Sequence, residues 1–252
     1  MKLIIEFDVK EDKLLDYNYN YFISSAIYSL LAEQNQEFAS QLHNRGHQIG
    51  NKNFKLFVFS KFMPARFETN KNGILVKKGR AKLFVNSPLK EFIYYLGSAL
   101  MEKGYMRIGN DNYDIANVHY EVVANRQFEY ESTFITSSPI VTTTSTMIDG
   151  KIKNETVHIT EPKYVENIKN NLLKKYFLIH GGLPDDMNIE IEFDQDYIKK
   201  NPKGKLITIK GITVKGYIAP FKMRASDDVK NVAIDCGLGE KNSVGMGYVV
   251  LR

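Results

Sequence analysis

Apolar and polar residues alternate along KLIIEFDV, residues 2–9, and this period of two predicts a strand with one face buried. From Tyr21 onward the apolar positions Ile23, Ile27, Leu30 and Leu31 take the three- and four-residue spacing of an amphipathic helix. A second, short helix is predicted after Asn35, a good N-cap, with Phe38 and Leu42 four apart and Gly46 placed to end it. FKLFVFSKF, 54–62, reads as a strand, and GILVKKGRAKLFVNS, 73–87, as another with a bend at Gly79. SPLKEFIYYLGSALME, 87–102, reads as a helix with Pro88 in its first turn and Phe92, Leu96 and Leu100 on one face. DIANVHYEVV, 114–123, closes this half as a strand, so the order is βαββαβ.

The same order then begins again. Strands are predicted over 132–144 and 151–160, then a helix over 161–179 in which Val165, Ile168 and Leu172 keep helical spacing. Strands in 187–194 and 205–223, a short helix over 226–235 and a strand over 248–252 complete it. A repeated βαββαβ unit predicts an α+β protein of tandem ferredoxin-like (RRM-like) domains, 1–125 and 131–252, each an antiparallel sheet with its helices on one face.

Composition narrows the class. With 252 residues, 43% hydrophobic and 12% aromatic, the chain can bury a core for one or two domains. No apolar run is long enough for a membrane span, and MKLIIEFDVKEDK lacks the features of a secretory leader, so a cytoplasmic protein with no membrane partner is expected. The single cysteine, Cys236, cannot pair within the chain or build a cysteine-rich zinc cluster. The net charge of +5 is concentrated in three stretches: Lys77, Lys78, Arg80 and Lys82; Lys199, Lys200, Lys203, Lys205 and Lys210; and Lys215, Lys222 and Arg224. All three read as hairpin-like segments, and together they point to a polyanionic partner.

GLGEKNSVGMG, 237–247, compresses four glycines into eleven residues. It is not a P-loop, because Lys241 follows Glu240 and precedes Asn242 rather than standing in a G-K-[ST] triplet. It is not a dinucleotide fingerprint, because Asn242 stands where the third glycine is needed. A nest of bare N–H groups for phosphate and a tight helix-to-strand connection both remain open.

AIYSLL (26–31), QLHNRG (41–46), FKLFVFSKFM (54–63), STFITSSPI (132–140) and CGLGEKNSVGMGYV (236–249) carry a resemblance that spans nearly the whole chain. In that order they resemble segments of the CRISPR-associated repeat-RNA endoribonucleases, the Cas-six family of the RAMP superfamily. The resemblance implies a metal-independent enzyme that needs no cofactor and cuts CRISPR repeat RNA, single-stranded or weakly structured. It puts Tyr28, His43 and Lys55 on the family's tyrosine, histidine and lysine positions, with Lys52 a rival for the last. It also puts Gly237, Gly239, Lys241, Asn242, Ser243, Gly245 and Gly247 beside the RNA, in direct contact or as shapers of the loop. Lys199, Lys200 and Lys203 are added as RNA contacts by their charge. Other CRISPR-associated proteins are expected as partners, and a homodimer is left open.

The chemistry suits these side chains. A ribose 2′-hydroxyl can attack the adjacent phosphorus and expel the 5′-oxygen, which requires one proton accepted, one delivered and charge stabilised on phosphorus. Histidine titrates near neutrality and can do either proton task, tyrosine with a reference pKa near 10 suits orientation, and lysine supplies charge. His47 stands four residues after His43, but HNRGH lacks the glutamate of an H-E-x-x-H zinc motif, and His47 is kept as a second acid-base candidate or a phosphate contact. Asp194 and Asp196 would share a strand face and offer a weak Mg²⁺ site, the mark of a nucleotide enzyme. A catalytically silent RAMP-type RNA-binding subunit is the other alternative.

Overall fold

The computed structural model describes residues 1–121, 126–148, 151–209 and 211–252. Val122, Val123, Asn125 and Lys210, named above, lie outside the described residues. The chain divides into two units: unit 1 is Met1–Ala124 with Ser243–Gly245, and unit 2 is Asn125–Asn242 with Met246–Arg252.

Unit 1 runs β1 (Lys2–Val9), β2 (Lys13–Leu15), α1 (Tyr19–Gln34), α2 (Gln36–Asn44), β3 (His47–Ile49), β4 (Lys52–Phe54), β5 (Val58–Phe59) and β6 (Met63–Pro64). It continues through β7 (Phe67–Asn70), β8 (Gly73–Val76), β9 (Gly79–Asn86), α3 (Lys90–Lys103), β10 (Tyr105–Ile108) and β11 (Asp111–Glu121). The main sheet has the order β10-β11-β1-β9-β5, with β6 also pairing β9, and its neighbours are antiparallel. Without the extra edge strand β10 this is the fourth-first-third-second order of a ferredoxin-like βαββαβ unit. The alternation read in β1 buries Leu3, Ile5, Phe7 and Val9. On α1 Ile23, Ile27, Leu30 and Leu31 are buried, each worth about 1.5–3 kcal/mol of hydrophobic transfer.

Three readings of this half change. The strand expected over 54–62 shrinks to β5, because Leu56 takes a left-handed backbone (φ 51°) and Lys52–Phe54 pairs instead with His47–Ile49. The strand expected over 73–87 divides between two sheets: β8 joins β2 and β7, while β9 sits in the main sheet. Pro88 precedes α3 rather than occupying its first turn, since Leu89 is the N-cap.

Unit 2 runs β12 (Glu131–Thr136), β13 (Thr143–Ile148), β14 (Lys151–Thr156), α4 (Pro162–His180), β15 (Glu190–Phe193) and α5 (Gln195–Lys200). It is completed by β16 (Lys205–Ile209), β17 (Ile212–Gly216), β18 (Phe221–Arg224), α6 (Asp227–Cys236) and β19 (Val249–Leu251). The sheet order β15-β18-β12-β19 is the same ferredoxin-like order read from the other edge. The hairpins β13–β14 and β16–β17 form two-stranded sheets of their own. The stretch 132–144 is therefore not one strand: β12 stops at Thr136 and Thr143 opens the first of these hairpins.

Candidate active site

In unit 1 the end of α2 is the meeting point of the chemistry-bearing side chains. Asn35 caps this helix, its side chain accepting a hydrogen bond from the Phe38 N–H, and the helix carries His43 in its last turn with the side chain exposed to solvent. The ring of Tyr28, half-buried on α1, stands perpendicular to the His43 ring with centroids 4.9 Å apart, and its other neighbour is Phe57 at 5.8 Å. His43 Nδ1 lies 3.1 Å from Asn44 Oδ1. A carboxamide oxygen only accepts, so Nδ1 carries the hydrogen and Nε2 of neutral His43 holds the lone pair.

Lys55 Nζ donates to the His43 carbonyl oxygen at 2.7 Å, placing an ammonium on the C-terminal turn of α2, where the helix dipole favours positive charge. Burial lowers the pKa of Lys55 from the ordinary lysine value. The left-handed Leu56 that follows is a conformation costing an L-residue about 1–2 kcal/mol. His47 is half-buried on β3 opposite Phe54, and burial together with the Lys55 charge lowers its pKa, so it stays neutral at neutral pH. Lys52 is exposed at the turn end of the hairpin, opposite Ile49, while Lys55 is the lysine whose ammonium bonds the His43 carbonyl. Burial raises the Tyr28 phenol well above the usual tyrosine range, partly offset by a hydrogen bond with the Ser243 side chain, which suits Tyr28 to orientation and not to accepting a proton.

The glycine-rich loop has a different character in unit 2. Gly237, Gly239 and Gly247 are buried. The Leu238 and Gly247 N–H groups donate to Gly247 O and Pro139 O at 2.9 and 2.8 Å, Glu240 N–H to Val141 O at 2.8 Å, and Met246 N–H to Lys241 O at 3.3 Å. Asn242 Nδ2 donates to Leu238 O and Met246 O. Four of the loop's N–H groups are thus used within unit 2, two of them on Pro139 and Val141 outside the loop, which supports a loop-shaping role for Gly247 and Asn242. Lys241, exposed at φ 61°, keeps its side chain in solvent.

Lys175 was not anticipated. It is 3% exposed, and its ammonium donates to Gly237 O, Gly239 O and Asn242 Oδ1 at 2.8, 3.0 and 2.7 Å. Burial pushes its pKa down to about 8, partly offset by electrostatic interaction with Cys236 and Glu240. The sequence carries the signal: Lys175 falls on the apolar stripe of α4 with Ile168 and Leu172.

The basic stretches separate in the structure. Lys77 pairs with Asp12 and Glu68, Lys82 with Glu6, Lys222 with Glu131 and Arg224 with Glu190, so much of the first and third stretches is neutralised within the fold. Lys199 and Lys200 sit on α5 and not on a hairpin, and Lys199 Nζ is 3.7 Å from Asp196 Oδ1. Lys200, Lys203 and Lys205 line a 340 Å³ cleft with Tyr197. Asp194 and Asp196 do not share a strand face: Asp194 caps α5 by accepting from Tyr197 N–H at 2.8 Å, and Asp196 lies in the first turn. Among the described residues no group of three or more His, Cys, Asp or Glu side chains is placed to hold a metal ion, and no helix is long and apolar enough to cross a membrane.

The chain thus has two ferredoxin-like units, one carrying a tyrosine, a histidine and a lysine at a helix end and the other a glycine-rich loop before its last strand. The family model described as CRISPR-associated protein Cas6, N-terminal, matches residues 14–119, and that of the Cas6 C-terminal region matches 121–251. CRISPR-associated endoribonuclease Cas6 1 of Methanocaldococcus jannaschii is 31% identical over 250 residues, covering 99% of this chain and 92% of that protein. CRISPR-associated endoribonuclease Cas6 of Pyrococcus furiosus is 28% identical over 247 residues, covering 96% of this chain and 86% of that protein. A solved structure of a CRISPR-associated protein Cas6 superposes with a TM-score of 0.80 at 29% identity, over 100% of this chain and 99% of that one. The chain belongs to the Cas6 family.

Proposed function

We propose that this chain is an endoribonuclease that cuts precursor CRISPR RNA within its repeats to release guide RNAs. Its membership in a family whose relatives bear the name endoribonuclease supports the activity, and the observation that carries the chemistry is the set of Tyr28, His43 and Lys55 at one helix end. In the reaction the 2′-oxygen forms a bond to phosphorus, the bond from phosphorus to the 5′-oxygen breaks, the 2′-hydroxyl gives up its proton and the leaving oxygen gains one. The products are a 2′,3′-cyclic phosphate and a 5′-hydroxyl.

His43 is the proton carrier in this reading, through Nε2, because Nδ1 is engaged by Asn44. The Lys55 ammonium, half-buried beside it, stabilises the charge that builds on the phosphoryl oxygens, an effect that grows as water is excluded. Tyr28 orients His43, and His47 is the reserve acid-base group. We assign this chemistry to the N-terminal domain, 1–125. To the C-terminal domain, 131–252, we assign the grip on single-stranded or weakly folded repeat RNA through Lys199, Lys200, Lys203 and Lys241. The His43 cluster counts against a silent RNA-binding subunit, which has no use for a proton carrier. The test is incubation of the purified protein with end-labelled repeat RNA in EDTA, followed by chemical analysis of the ends. One cut per repeat bearing a cyclic phosphate is expected; intact RNA, or cleavage only on adding a divalent metal, overturns the reading.

A further inference from the structure

We infer that Ser243 is a positioning residue: its hydroxyl fixes the hydroxyl of Tyr28, and through it the ring that stands against His43. The inference rests on the reading of Tyr28, His43 and Lys55 as the active site, and it assigns Ser243 a task other than the RNA contact expected from its place in the glycine-rich loop.

Three contacts hold Ser243–Gly245 within unit 1. The Ser243 side chain hydrogen-bonds Tyr28, and Asn20 Nδ2 donates to Val244 O at 3.3 Å. A Cβ at Gly245 would lie 2.5 Å from Phe59 Cε2 and 3.0 Å from Asn20 Nδ2, so this residue must be glycine for the segment to lie where it does. Asn20 and Tyr28 are eight residues apart on α1, about two turns and 12 Å along its axis, and so face the same side. The helix therefore holds the segment by a carboxamide on one turn and a phenol on another. A single 3₁₀ turn, Asn242–Val244, presents the serine.

The chemistry of the pair explains the choice of side chains. Burial keeps Tyr28 protonated, so its O–H is a dipole whose value to the site depends on where it points. A half-buried phenol with no partner could rotate its hydrogen. A serine hydroxyl both donates and accepts, and it fixes that direction without adding charge. With the hydroxyl anchored, the Tyr28 ring keeps its perpendicular stance against the His43 ring and resists the imidazole swinging away from the helix end.

The test is a double-mutant cycle of Ser243→Ala and Tyr28→Phe, read by single-turnover cleavage of repeat RNA, RNA affinity and urea unfolding. Ser243→Ala is expected to slow cleavage about three- to tenfold, the range of one hydrogen bond, while affinity stays within about twofold. Ser243→Thr, which keeps a hydroxyl, should recover most of the rate. In the Tyr28→Phe background, Ser243→Ala should cost nothing further, because the partner is already gone. An equal rate loss in both backgrounds overturns the inference, and so does weakened RNA binding in both, which makes Ser243 a phosphate contact. If the wild-type protein cuts no repeat RNA, the functional reading fails while the urea midpoints still test the pair. A double variant no less stable than the weaker single one supports the hydrogen bond, and additive losses refute it.

Discussion

Replacing Gly247 by alanine tests whether the glycine-rich loop is shaped by its own backbone. Gly247 sits at φ 71°, where an L-residue costs about 1–2 kcal/mol. Its Cβ would also stand 1.9 Å from Leu238 O, a backbone atom that cannot rotate away. To make room, Leu238 must move, loosening the Leu238 N–H bond to Gly247 O (2.9 Å) and the Asn242 Nδ2 bond to Leu238 O (3.1 Å), each worth about 0.5–1.5 kcal/mol. The sum is about 2–5 kcal/mol, a large share of the 5–15 kcal/mol that typically separates folded from unfolded protein. Gly50→Ala is the matched control: φ is 54° and nothing lies within 4 Å of its Cβ, so only the backbone cost of about 1–2 kcal/mol applies. Urea unfolding of both variants gives the difference, and RNA affinity is measured well below the transition. Gly247→Ala losing no more stability than Gly50→Ala refutes the reasoning. A normally stable Gly247→Ala that has lost RNA affinity returns this glycine to the phosphate surface.

Lys175 predicts a pH signature. Its pKa falls from 10.5 to about 8 on folding, so between those values the unfolded chain binds a proton that the folded chain lacks. The cost of burying the charge is fully present below pH 8, and stability from this group rises with pH from there toward 10.5, by up to about 1.4 kcal/mol per pH unit. The wild type should therefore gain on Lys175→Met in urea midpoint between pH 8 and 10, and parallel curves contradict this. Reversing the charge of Lys199, Lys200 and Lys203 together should flatten the salt dependence of RNA binding, with about 0.7 in log-log slope lost for each phosphate contact removed. An unchanged slope puts the RNA path elsewhere.

The fold was legible wherever side chains alone decide the local structure. Asn35 and Gly46 bracket α2 because an N-cap acceptor and a glycine at φ 60° are local requirements. The break at Leu56 was not legible, since an apolar run gives no sign that a leucine will take a left-handed backbone. That break releases Lys52–Phe54 into a hairpin with His47–Ile49, and Lys55, which follows the hairpin, reaches the His43 carbonyl. Alternation in 187–194 points to a strand running through Asp194, whereas a carboxylate three residues before the Tyr197 N–H equally marks a helix start, and the structure takes the second course. The assignment of Tyr28, His43 and Lys55 to the site rests on family resemblance and not on any local pattern. The hydrogen bond between Tyr28 and Ser243 joins residues far apart in sequence, and no local pattern announces it.

His43→Ala in single-turnover cleavage of repeat RNA, in EDTA and across pH 5.5 to 8.5, is the most direct test of the central claim. A positioned acid or base is worth about 10²–10⁴ in rate. The variant should lose that factor and a limb of the pH profile while binding RNA as tightly as the wild type. A rate that stays unchanged, or falls only in step with affinity, contradicts His43 as the proton carrier.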